Sequence, residues 1–263
     1  MTSVENSRML DCWLSLIKPM LDADQYYSYE LRILRLPLHS PETKPIDLWK
    51  RSLTERIRYM HSTLLSVQSC ELVLFTDPDV LPVSQYSLLV PKIGSLDALF
   101  QPKGFSPFGV NPGFVLLRNT QRARGFLLKW WQHMQENRGG CSPMPSCGWN
   151  DQKVLNEEVL GSNHIDGEHI SRPHSVRFTN YTTGFQWNFS WSTWMGRIVA
   201  AKPDDCSSLH CVAFHAVLHG SGDSINMKLA QISQTFELRR RRGLPSSLLQ
   251  NLSSCQVRGG AQG

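Results

Sequence analysis

The chain has 263 residues, of which 41% are hydrophobic and 19% charged. That length suits one large α/β domain or two smaller ones, and the composition excludes a wholly disordered or fibrous chain. A formal charge of +5, partly carried by Arg239-Arg240-Arg241-Arg242, does not imply a nucleic-acid partner, and none is expected.

Residues 5–21 place Met9, Leu10, Trp13, Leu14, Ile17 and Met20 at helical spacing, so the chain opens on an amphipathic helix. Tyr29 to Leu36 has the apolar character of a strand, and Pro37 to Pro45 reads as a loop. Ser52-Leu-Thr-Glu55 fits a capping box. Behind it Leu53, Ile57, Met60, Leu64 and Val67 form a one-sided helical stripe. Glu71 to Thr76 then predicts a buried strand that ends by presenting Asp77 and Asp79. Helix, strand, helix, strand is the order of a parallel sheet.

Residues 81–110, rich in Pro and Gly, predict a long loop with short pieces of structure. Asn111-Pro112-Gly113 precedes a short strand, Phe114 to Leu117. Asn119 or Thr120 caps a helix whose Ala123, Phe126, Leu127, Trp130, Trp131 and Met134 make a wide apolar face, ending at Gly139-Gly140. Asn150-Asp151-Gln152 opens a shorter helix holding Val154, Leu155 and Val159. From 163 to 213 the chain is aromatic and short-stranded, with Phe178, Tyr181, Phe185, Trp187, Trp191 and Trp194 read mostly as core. Cys211 to His219 is strand-like, and Lys228 belongs to a last helix. From Glu237 the composition predicts a poorly ordered basic and polar tail, 237–263.

The seven cysteines are too scattered for a disulfide scaffold. The close pairs Cys141/Cys147 and Cys206/Cys211 suit local disulfides or free thiols better than zinc. Three acceptor sequons, at Asn180, Asn188 and Asn251, are compatible with a secretory lumen. No stretch reaches the ~18 apolar residues of a membrane span. A basic region followed by an apolar signal core is also missing from the first residues.

Two carboxylates at the end of a strand are hard oxygen ligands suited to Mg²⁺ or Mn²⁺ held with a diphosphate. Read together, the Asp77-x-Asp79 strand, the Asn111-Pro-Gly-Phe strand, the Trp-bearing helix, the Asp151-Gln152 helix start and a late His before Lys228 resemble the nucleotide-diphospho-sugar transferase family. The resemblance spans roughly residues 5–236 and implies a GT-A-like, mixed but mostly parallel sheet flanked by helices. It implies transfer of a sugar, with retention, from a nucleotide-sugar donor to an acceptor hydroxyl on a glycan or glycoprotein. By the same resemblance Asp79 is a metal ligand for Mn²⁺ or Mg²⁺, and Asp77 binds the ribose or the metal's water shell. His215 is the late ligand, with His219 a second candidate. Asn111 and Gly113 line the donor sugar, Lys228 faces the leaving diphosphate, and Asp151 with Gln152 orients the acceptor.

Members of the family begin with a strand ahead of the first helix, so the first nucleotide-binding element and a Golgi membrane anchor are expected upstream of Met1. Two other readings compete. One is a degenerate transferase fold kept as a binding module. The other is a haloacid-dehalogenase-like phosphatase, in which Asp77 is the nucleophile and Asp79 the general acid. Lys202, Asp204 and Asp205 would supply its remaining charges.

Overall fold

The structure, a computed structural model, describes residues 3–23, 29–34, 45–69, 71–102, 109–136, 150–161, 174–179, 186–193, 199–200, 203–204, 206, 211–216 and 225–242. The chain forms two compact units, one from Met1–Glu30, Thr76–Lys92 and Trp194–Gly263 and the other from Leu31–Phe75 and Ile93–Thr193.

In the first unit, α1 (Ser3–Asp22) buries Cys12, Trp13, Leu16, Ile17 and Met20. The buried stripe is rotated from the expected one, leaving Leu10 and Leu14 only half-buried. The helix lies on β2 (Val80–Pro82), and the Trp13 indole N–H donates to the Val80 carbonyl at 2.9 Å. β2 pairs antiparallel with β8 (Ala213–His215), which pairs parallel with β7 (Val199–Ala200). A 3-10 turn (Tyr86–Leu89) and the single turn α3 (Val90–Ile93) follow β2. Helix α6 (Ile225–Arg241) packs on α1 and buries Leu229, Ile232 and Phe236.

The second unit holds a five-stranded sheet ordered β1 (Leu72–Thr76), β4 (Val110–Arg118), β3 (Ala98–Pro102), β6 (Gln186–Thr193), β5 (His174–Thr179). Against it lie α2 (Pro45–Ser66) and α4 (Gln121–Glu136), with α5 (Asp151–Val154) and a π turn (Leu155–Val159) after them. Phe126, Leu127, Trp130 and Met134 of α4 are fully buried. At ~1.5–3 kcal/mol for each such side chain, packing rather than intrinsic propensity holds the helix in place. Phe126 stacks on Phe189 with ring centres 4.1 Å apart, and Phe178, Trp187 and Trp191 join the same core. Tyr181, Phe185 and Trp194 lie outside the described residues.

Several expectations change. The sheet is mixed but mostly antiparallel, not mostly parallel: β3 with β4 and β5 with β6 are antiparallel, and β3 with β6 is parallel. The connections Pro102 to Val110 and Thr179 to Gln186 are shorter than the dozen or so residues that a parallel crossover needs. The central strand β3 lies inside the stretch 81–110 read as a long loop, because its apolar run Ala98-Leu99-Phe100 is only three residues long and sits among prolines and glycines. β1 stands at one end of the strand order and is half-buried rather than buried. Residues 29–34 form no strand, and Tyr29, Leu31 and Ile33 are exposed.

Helix α2 begins at Pro45, where proline's fixed φ suits a first turn, so Ser52 and Glu55 lie inside it and cap nothing. Of the two candidate caps of α4, Thr120 serves, accepting from the Ala123 N–H at 3.1 Å. Asn119 instead donates to the Val67 and Gln68 carbonyls at 2.8 and 2.7 Å, closing the end of α2. The tail boundary at Glu237 falls within α6, and Arg239, expected in the poorly ordered tail, is buried. Its guanidinium donates to the Cys206 and Val83 carbonyls at 2.9 and 3.2 Å. Cys206 and Cys211 form a disulfide, while Cys141 and Cys147 lie outside the described residues.

Candidate functional site

The carboxyl end of β1 leads directly into the first unit's polar cluster. The Val80 N–H donates to the Asp77 carbonyl at 3.0 Å, closing the turn Asp77-Pro78-Asp79-Val80 with proline at its favoured second position. β2 then pairs with β8 so that Val80 faces His215, and the Ala216 N–H donates to the Asp79 carbonyl at 2.9 Å. That register sets the imidazole beside the carboxylate. His215 Nε2 stands 3.6 Å from Asp79 Oδ1, and Lys228 Nζ, from the start of α6, stands 2.7 Å from Asp79 Oδ2.

The three side chains are 19%, 7% and 13% exposed for Asp79, His215 and Lys228, so their charges act in a poorly hydrated setting. Burial pushes the Asp79 carboxyl up, and the charges of His215 and Lys228 with the Lys228 hydrogen bond more than offset it. Asp79 therefore titrates below the ordinary aspartate range. Three residues far apart in sequence thus meet in one unit. His219 lies outside the described residues.

In the second unit, Phe100 faces Val115 while Gln101 faces Asn111, so Pro112, Gly113 and Phe114 bulge out of the β3–β4 ladder. Proline is tolerated at such a bulge because it owes the ladder no N–H there. Asn111 Oδ1 accepts from the Gly113 N–H at 2.8 Å and holds the bulge's shape. Arg56 of α2 donates to the Pro112 carbonyl and, at 3.0 Å, to Asp151 Oδ2. Arg56 thereby joins the bulge to the start of α5. Asp151 is buried, and its other oxygen accepts from the Gln152 N–H at 2.9 Å. Asn150 caps α5, accepting from the Lys153 N–H at 2.7 Å.

Asn156, in the π turn, accepts from the Val110 N–H at 2.6 Å and donates to the Val110 carbonyl at 2.8 Å. It thereby bonds both backbone groups of Val110 next to the bulge. Residues Asn111, Gly113, Asp151 and Gln152 were legible as candidates; Arg56 and Asn156, which hold them, were not. Neither carries a local signal, since an arginine on an amphipathic helix is ordinarily solvated.

Whether a small dication fits Asp79 turns on donor geometry. The 3.6 Å between Asp79 Oδ1 and His215 Nε2 is less than twice a ~2.1 Å ligand bond, so one ion can be bound by both. Among the described residues no three of His, Cys, Asp and Glu are gathered for metal binding. The two protein donors fit a metal completed by oxygens from a bound ligand. For the phosphatase alternative, Asp204 is exposed, and Lys202 and Asp205 lie outside the described residues.

Among the described residues, no helix is long and apolar enough to cross a membrane. Asn188, one of the sequon asparagines, is exposed on β6; Asn180 and Asn251 lie outside the described residues. Comparison with family models, with curated proteins and with solved structures finds no match for this chain.

Proposed function

We propose that the chain is a GT-A-type glycosyltransferase that moves a sugar from a nucleotide-diphosphate donor to an acceptor hydroxyl, assisted by Mn²⁺ or Mg²⁺, in the Golgi or another secretory lumen. The observation that carries this reading is the convergence of Asp79, His215 and Lys228. Asp79 and His215 would hold the ion, whose chemistry is to neutralise charge that builds on the departing diphosphate. Lys228 would add a positive charge on the same diphosphate, as a flexible point charge suited to phosphate. Asp77 would bind the donor's ribose.

By the family resemblance Asn111 and Gly113, which sit at the β3–β4 bulge, would line the donor sugar. Asp151, oriented by Arg56, would face the acceptor with Gln152 beside it. In this reading Asp151, held by the Arg56 guanidinium, positions the hydroxyl.

A second reading, a transferase fold kept as a binding module, is favoured by one observation. The Asp79 carboxylate already has an ammonium partner, so the charge cluster is neutralised without a metal. Thermal unfolding with and without Mn²⁺ and uridine or guanosine diphosphate separates the readings. The transferase reading expects stabilisation by ion plus nucleotide that disappears in Asp79→Ala. Stabilisation by nucleotide without dependence on the ion or on Asp79 supports the binding module, and no response to either ligand refutes the transferase reading.

A further inference from the structure

We infer that Lys228 is an internal counter-cation that occupies the metal's electrostatic place at Asp79 until a diphosphate draws it away. The inference rests on the proposed metal and diphosphate site and adds an order of events to it. Asp79 presents two oxygens: Oδ2 is held by the Lys228 ammonium at 2.7 Å, and Oδ1 faces His215 Nε2 at 3.6 Å, close enough for one ion to meet both donors. A dication bound there shares one carboxylate with an ammonium. Neither charge is well hydrated, since all three side chains are less than one-fifth exposed. Repulsion between like charges at a few ångströms in such a setting is strong enough to disfavour the metal alone.

A diphosphate removes the conflict. Lysine reaches through a flexible four-carbon stem from the first turns of α6, and a phosphate oxygen is a better partner for it than a carboxylate shared with a dication. Metal and nucleotide therefore bind with positive coupling, and each raises the other's affinity by the same factor. The protein holds no ion while it waits for donor, and the ammonium keeps Asp79 from standing as an uncompensated carboxylate.

The test is Mn²⁺ binding followed by loss of the free aquo-ion signal in electron paramagnetic resonance, with and without uridine or guanosine diphosphate. Wild type, Lys228→Met and Lys228→Arg are compared after thermal unfolding shows each to be folded; Lys228→Gln replaces the methionine variant should that one fail to fold. Without nucleotide, Lys228→Met should bind Mn²⁺ at least about tenfold more tightly than wild type, a change of ~1.4 kcal/mol. Its gain on adding nucleotide should shrink, while Lys228→Arg, which keeps the charge, stays close to wild type. Equal or weaker Mn²⁺ binding by Lys228→Met overturns the inference and leaves the metal site standing. No Mn²⁺ binding by any variant, even with nucleotide, overturns the proposed function and the inference with it.

Discussion

Replacing Asp97 by asparagine should destabilise the protein at neutral pH and remove part of its sensitivity to acid. Asp97 is 0% exposed and stands just ahead of β3, where its carboxylate gathers donors from two other elements. Oδ2 accepts from the Ser190 N–H and hydroxyl, both at 2.9 Å, tying β3 to β6. Oδ1 accepts from the Thr120 hydroxyl and from Arg122 Nε, both at 3.0 Å, tying the same point to the start of α4. Asparagine keeps one carbonyl oxygen. If that oxygen faces Ser190, two charge-assisted bonds become neutral ones at a cost of about 1 kcal/mol each, and the new amide N–H groups confront Arg122. The Arg122 side chain is 48% exposed, so its ion pair adds only ~0–1 kcal/mol. The expected loss is about 2–3 kcal/mol.

The pH dependence has a defined sign. Burial pushes the Asp97 carboxyl up, and the donors from Arg122, Ser190 and Thr120 outweigh it, so its folded-state pKa lies below the ordinary value. The stability this supplies is fully present above the unfolded pKa of ~3.9 and is lost as the pH falls through the folded-state value. Urea denaturation of wild type and Asp97→Asn at pH 7 and at successive steps down to pH 3 reads both quantities. The gap should be largest at pH 7 and narrow below about pH 4. A variant within about 0.5 kcal/mol of wild type at pH 7, or a gap that stays constant on acidification, refutes the reasoning.

Arg56→Met should cost about 3 kcal/mol, because it leaves the Asp151 carboxylate, 9% exposed, without its guanidinium. Urea denaturation measures it, and adding Asp151→Asn should recover much of the loss, which an independent role for Arg56 would not allow. Gly109→Ala should destabilise by about 2–3 kcal/mol, since the residue has φ +94° and an added Cβ would lie 2.4 Å from Asn156 Oδ1. Gly161→Ala, at φ +61° with nothing within 4 Å, should cost only ~1 kcal/mol by the same assay. Equal losses at the two glycines would deny the Asn156 contact its part.

The helices were the most legible part of the fold, and the sheet the least. α4 announces itself through Phe126, Leu127, Trp130 and Met134, which recur at helical spacing and are all buried. A five-residue strand such as β3 leaves no comparable trace, because Ala98-Leu99-Phe100 sits among prolines and glycines that signal turns. Missing that strand hid the antiparallel pairing of β3 with β4 and left an apparent run of alternating helices and strands. The stretch from Tyr29 fails for the opposite reason. Its alternation of apolar residues is genuine, yet alternation states only that one face could be buried, and Tyr29, Leu31 and Ile33 are exposed.

For the candidate site, what a sequence conveys is the chemistry of single residues in order, and what it withholds is register. Asp79, His215 and Lys228 were each nameable because carboxylate, imidazole and ammonium suit a metal and a diphosphate. Their meeting depends on Val80 facing His215 across β2 and β8, a pairing that no local spacing encodes. The same limit explains Arg56 and Asp97. Arg56 finds Asp151 across 95 residues, and Asp97 finds Ser190 across 93, so their importance comes wholly from tertiary pairing. Both are charged residues that a pattern reading leaves in solvent, and both are instead placed where a buried opposite charge or a row of donors needs them. A variant scan that followed sequence motifs would therefore test Asp77, Asp79 and His215 for function. It would overlook the two residues whose loss, by disturbing the bulge at Pro112 or the anchor of α4, would most easily be mistaken for a catalytic defect. Measuring stability alongside every activity at these positions separates the two causes.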